Sequence, residues 1–156
     1  VRFRRWLLKM QALDAFTVTS HETEPNPSIH LRCLEDSVLV RLNAAALLDQ
    51  YRCPTGDVLL VLDDDCPFEE QLHLVVMRGS SVLDHVVIGA PYTAGQYRLV
   101  ETGVDLLRFR FEGEGVWTAR VHAEGTRGLG GLPSGARRET GWLSKRYLTL
   151  TWDEAG

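Results

Sequence analysis

Two histidines, His73 and His85, with Asp84 beside the second, are the residues of this chain best suited to moving protons. Imidazole gains and loses a proton near neutral pH, and a carboxylate within hydrogen-bond reach would orient it and steady its charge. Which of the three meet depends on how their strands pair. A two-residue turn near Gly79-Ser80 pairs Arg78 with Ser81, placing His73 and Asp84 diagonally on one face and His85 on the other. A three-residue loop instead places both histidines on one face.

Asp63-Asp64-Asp65 is the densest acidic cluster, and three hard oxygen donors at a strand end could bind Ca²⁺ or Mg²⁺. Neighbouring side chains on an extended chain alternate in direction, so at most two of these carboxylates converge, and the spacing is not that of an EF-hand. The expectation is a solvated turn leading into Cys66-Pro67, with no metal and no cofactor. Nucleophilic chemistry has less support. Ser80, Ser81, Ser134 and Ser144 lack a G-x-S-x-G setting, and Cys33, Cys53 and Cys66 show neither a CxxC pair nor a histidine at finger-like spacing.

Arginine supplies the other chemistry. Arg98, Arg108, Arg110 and Arg120 occupy one parity on three adjacent candidate strands, opposite the apolar parity of Leu99, Leu107, Phe109, Phe111 and Trp117. A three-residue loop Gly113-Glu114-Gly115 pairs Glu112 with Val116 and sets Arg108 directly across from Arg120. Opposed like charges disfavour the pairing, so a carboxylate such as Glu101 or a bound anion is needed there. Arg137 and Arg138 lie in a Gly/Arg-rich stretch, 124–141, that reads as a long loop; it has no GK[ST] ending for a phosphate cradle.

The elements that must carry these residues read as strands. Period-two alternation and recurrent turn residues mark Ala15–Ser20, Ser28–Leu34, Val38–Leu42, Val58–Leu62, Gln71–Arg78, Val82–Gly89, Gln96–Glu101, Leu106–Glu112, Val116–His122 and Arg146–Trp152. Val58-Leu59-Leu60-Val61-Leu62 is apolar on both faces and belongs at the centre of a sheet. Two helical pieces are expected: an amphipathic N-terminal segment with Phe3, Trp6, Leu7, Met10 and Leu13 at helical spacing, and an Ala- and Leu-rich run at Ala44–Tyr51. The fold class is therefore mainly all-β, an antiparallel sandwich or partly closed barrel of about ten strands in a single domain, 1–156.

A chain of 156 residues with 44% hydrophobic residues and no long apolar run matches a globular domain without a membrane span. The formal net charge of −4 argues against a protein that is basic throughout, but not against a local basic patch. Unrelated cysteine contexts fit a reducing, cytoplasmic setting. The functional expectation is a non-catalytic binding module that presents Arg98, Arg108, Arg110 and Arg120, together with Arg137 and Arg138 of the Gly-rich loop, to an anionic or protein partner. A small barrel of OB- or Sm-like character binding RNA or single-stranded DNA is the alternative. A hydrolase-type enzyme using the His73/Asp84/His85 region is a further one, and a carrier with an apolar interior another. Titration with a thiol reagent under denaturing, non-reducing conditions should find three free thiols; finding one would show a disulfide.

Overall fold

The computed structural model of the chain describes residues 9–65, 70–89, 95–127, 131–141 and 144–154. Within them are strands β1 (Gln11–Ala12), β2 (Phe16–Glu22), β3 (Ser28–Cys33), β4 (Leu39–Leu42), β5 (Ala46–Arg52), β6 (Val58–Asp63), β7 (Leu72–Arg78), β8 (Ser81–Ile88), β9 (Arg98–Thr102), β10 (Leu106–Arg110), β11 (Val116–Thr126), β12 (Ala136–Arg138) and β13 (Arg146–Asp153). They form three antiparallel sheets: a six-stranded sheet in the order β1-β5-β6-β7-β8-β12, a four-stranded sheet β13-β11-β10-β9, and a three-stranded sheet β2-β3-β4.

The six-stranded sheet is central because its middle strands are apolar on both faces. Leu59, Val61, Leu72, Leu74, Val76, Val86 and Ile88 pack against Leu107, Phe109, Phe111, Trp117, Ala119, Val121, Leu148 and Leu150 of the four-stranded sheet. On the other face Val58, Leu60, Leu62, Val75 and Met77 pack against Phe16, Ile29, Leu31, Cys33, Val40 and Leu42 of the three-stranded sheet. Each fully buried aliphatic side chain contributes about 1.5–3 kcal/mol relative to exposure, so a two-faced apolar strand requires two covering layers. None of the three sheets closes into a barrel.

Several expectations are corrected. No helix occurs among the described residues: Ala44–Tyr51 is largely β5, paired along β6 from Ala46↔Asp63 to Arg52↔Val58 with a bulge after Leu47. Pairing with an apolar central strand outweighs the modest helical preference of Ala and Leu. Most of the expected N-terminal helix lies outside the described residues, while Gln11–Ala12 pairs with β5 as an edge strand. The stretch 124–141 is not loop throughout. It holds the end of β11 and all of β12, which extends the central sheet by pairing with β8.

Two buried carboxylates bind the central sheet to the four-stranded one. Asp57 accepts two hydrogen bonds from Arg78, from Nε at 2.9 Å and Nη2 at 3.0 Å, and the same guanidinium donates to the Ala123 carbonyl at 2.6 Å. Asp84, fully buried, accepts from the Arg138 guanidinium, from Thr140 Oγ1 at 2.9 Å, from its neighbour His85 N–H, and from the Tyr147 and Leu148 N–H groups of β13, each at 2.9 Å. Arg138 also donates to the Leu148 carbonyl at 3.0 Å. Cys33 and Cys53 are buried free thiols, and Cys66 lies outside the described residues. Asp84→Ala should cost about 3–5 kcal/mol in urea unfolding, since it strands a desolvated guanidinium, and adding Arg138→Met should restore part of the loss. A loss below about 1 kcal/mol would reduce the pair to the weight of a surface ion pair.

Candidate functional site

Strands β7 and β8 determine which histidine faces what. Gly79 opens their turn with φ +57°, the positive value that a two-residue hairpin of the II′ kind needs at its first position, and Arg78 pairs with Ser81. Unaltered, that register would separate the histidines. A bulge intervenes, because Met77 pairs with Val82 but Val76 pairs with Asp84, leaving Leu83 as the extra residue. Beyond it the faces exchange: His73 and His85 share the face that carries the three-stranded sheet, and Asp84 turns to the opposite one.

Asp84 is thus a structural carboxylate and not the partner of either histidine's ring. Asp64 takes that place. It follows β6 on the same parity as Leu60 and Leu62, and Leu62 pairs with His73 across the sheet. Asp64 Oδ1 lies 2.7 Å from His73 Nε2, and His73 Nδ1 lies 2.8 Å from His85 Nε2. The acceptor-only carboxylate fixes a proton on His73 Nε2. A neutral His73 then accepts at Nδ1 from the Nε2–H of His85, which leaves His85 Nδ1 unprotonated and without a partner among the described residues.

The chain Asp64–His73–His85 opens on a cleft of about 650 Å³ where the three-stranded sheet ends. Asn26 and Asn43 reach it from that sheet's connections, Arg41 from β4, Gln71 from the approach to β7, and Arg137 and Glu139 from β12 and its end. Arg137 donates to Glu139 at 3.1 Å and to Gln71 at 3.0 Å. Burial first, and the nearby His73 second, hold the His85 imidazole down to about 4, against the smaller upward pull of Glu139 and Asp84.

The acidic run divides by parity. Asp63 points to the other face, where burial and then Glu70 and Asp65 raise its carboxyl above the usual range, and its Oδ1 has no hydrogen-bond partner. Asp65 sits in the left-handed region at φ +49°. No group of three His, Cys, Asp or Glu side chains among the described residues is placed to hold a metal.

Arginines 98, 108, 110 and 120 do share a surface, the outer face of the four-stranded sheet. Their register differs from the expected one by two residues: Arg108 pairs with Thr118 and Leu106 with Arg120, so Arg108 and Arg120 are diagonal neighbours, and the connection is Phe111–Gly115. The inward packing of Phe111 and the turn at Glu112 (φ +50°) and Gly113 (φ +70°) lengthen it. Arg98 and Arg110 are directly opposed. A bulge on β9 also brings Glu101 to this face, where it accepts from Arg108 at 2.6 Å. Arg110 donates to the Glu114 carbonyl, Arg98 donates to Gln96 at 3.4 Å, and Arg120 has no side-chain partner among the described residues.

Of the six arginines read from the sequence, four therefore share a face. Arg138 is consumed by Asp84, and Arg137 belongs to the histidine cleft. Sequence reasoning weighed Asp64 only as a metal donor and missed it as the partner of His73, and it missed Arg41 altogether; the shared parity of Asp64 with Leu62 was the available signal, usable once β6 and β7 are known to pair.

Compared with protein-family models, curated proteins and solved structures, the chain matches none of them.

Because His85 is neutral in the fold, with its value lowered from 6.5 to about 4, the unfolded chain binds a proton there that the native state does not. Its contribution to stability is full above pH 6.5 and falls as pH drops toward 4. His85→Gln should flatten the stability profile in that window. Equal slopes in both proteins would place the protonation elsewhere.

Proposed function

We propose that this protein is a binding module whose outer arginine face receives an acidic, extended segment of a protein partner. The observation that carries the reading is the direct opposition of Arg98 and Arg110 on neighbouring strands, with Arg108 and Arg120 on the same face and Glu101 paired there with Arg108. Opposed like charges weaken a strand pair, so their concentration against an overall charge of −4 favours an occupant that supplies negative charge.

The face also has an adjoining edge. β9 ends the four-stranded sheet and is exposed through most of its length, Leu99 and Val100 at 47% and 44%. An extended segment added beside β9 would pair with its free backbone groups while its acidic side chains meet the arginines. Single-stranded nucleic acid fits less well, because the described outward positions beside the arginines include Thr118, His122, Thr149 and Thr151, while the exposed Trp152 of β13 shares the parity of the inward Leu148 and Leu150.

The test is titration with a ten-residue peptide alternating Glu with Val, alongside a twenty-nucleotide single strand. The peptide should bind with salt-sensitive affinity, and Arg108→Glu with Arg120→Glu should weaken it by about tenfold or more. Unchanged binding by the folded double variant would remove the face from the interaction. Binding of the oligonucleotide alone would overturn the acidic-protein reading in favour of nucleic acid.

A further inference from the structure

The Asp64–His73–His85 chain lies on the side of the central sheet away from the arginine face, and nothing in partner binding uses it. We propose that these three residues form a proton relay that makes His85 the general base of a site for a small oxyanion-bearing molecule, a phosphate or carboxylate compound held by Arg41. The inference is independent of the arginine face.

Geometry supplies the argument. Two successive contacts, 2.7 Å and 2.8 Å, link a carboxylate to two imidazoles in line, and the free Nδ1 of the last belongs to a cleft-lining residue. A core histidine pair needs a hydrogen bond between its rings; it does not need a polar opening of about 650 Å³ beside them. The charged groups that line the cleft around the pair are Asp64 from the end of β6, Arg137 and Glu139 from β12 and its end, and Arg41, which alternates with the inward Val40 and Leu42 on β4 and borders the cleft from that edge strand of the three-stranded sheet. Asp64 is engaged by His73, and Arg137 and Glu139 neutralise one another. Arg41 remains, an exposed residue with no hydrogen-bond or ion-pair partner among the described residues, and Asn26 and Asn43 line the same cleft. That set suits an anion with further polar groups.

The step balances as follows. An O–H bond of the bound molecule or of water breaks, its electron pair stays on oxygen, and the proton joins His85 Nδ1. The Nε2–H of His85 passes to His73 Nδ1, so His85 is neutral again and the positive charge rests on His73 beside the Asp64 carboxylate. A desolvated imidazole that resists charge can thereby accept a proton, because the charge does not stay on it. His73 and Asp64 act through His85 and are positioning residues.

Nitrogen-15 spectra of histidine-labelled protein, with inorganic phosphate as the probe, test the proposal. At pH 7 His85 should show a protonated Nε2 and an unprotonated Nδ1, and His73 a protonated Nε2. A proton that the pair takes up on acidification should appear on His73 while His85 stays neutral. Phosphate should shift the His85 Nδ1 resonance, and Arg41→Gln should weaken that binding fivefold or more without altering the tautomers. In Asp64→Asn phosphate binding should persist, but the proton taken up on acidification should no longer favour His73. A proton found on His85 Nδ1 at pH 7, or millimolar phosphate that leaves the cleft resonances unmoved, would overturn the proposal, and both readouts use the wild-type protein.

Discussion

The constraint on which the structure depends is the pair of adjacent strands, β6 and β7, that are apolar on both faces. Val58 to Leu62 and Leu72 to Met77 are all buried, and all are apolar except His73, whose ring nitrogens are satisfied by Asp64 and His85. A strand of this kind exposes apolar surface whichever way it turns, so one covering sheet cannot suffice. The three-stranded and four-stranded sheets are the two answers. Neither has a core of its own; each buries its inner residues only against the middle sheet.

Polar residues then specify how the layers meet. Hydrophobic packing is non-directional and would tolerate some sliding of one sheet over another, whereas a buried carboxylate with fixed donors would not. Asp84 gathers donors from β8, β12 and its end, and β13; Asp57 and Arg78 do the same between the central sheet and the β11 carbonyl at Ala123. The cation over Tyr147, with Arg78 at 5.7 Å from the ring centre, lies on the same seam. These contacts align the four-stranded sheet, and with it the outward arginines, relative to the rest.

Both candidate sites follow from where covering stops. The three-stranded sheet is shorter than the face it covers, and at its end the central sheet carries His73 and His85 in place of aliphatic side chains. Among the described residues no further layer covers the outer face of the four-stranded sheet, and its alternate positions carry Arg, Thr and His. The bulges matter for function as well as shape. One after Val76 unites the histidines and one on β9 sets Arg98 and Glu101 on the same surface, each by inserting a single residue that reverses the parity beyond it.

The sequence by itself determined the all-β class, nearly every long strand, the central place of Val58–Leu62, and the shared parity of the four arginines, because burial and exposure are written directly into a period of two. It also carried the demand for a carboxylate near Arg108, which Glu101 meets, although through a register two residues from the expected one. Ala44–Tyr51 was misread because helical preference is local and small, while the strand it forms is held by pairing with β6. Only the tertiary structure decided that three sheets stack, that Asp84 and Arg138 leave the surface to join the sheets, and that Asp64 completes the histidine chain. Those outcomes turn on one-residue bulges and on contacts between strands distant in sequence, and a bulge reverses every side chain beyond it without leaving a mark in the alternation that precedes it.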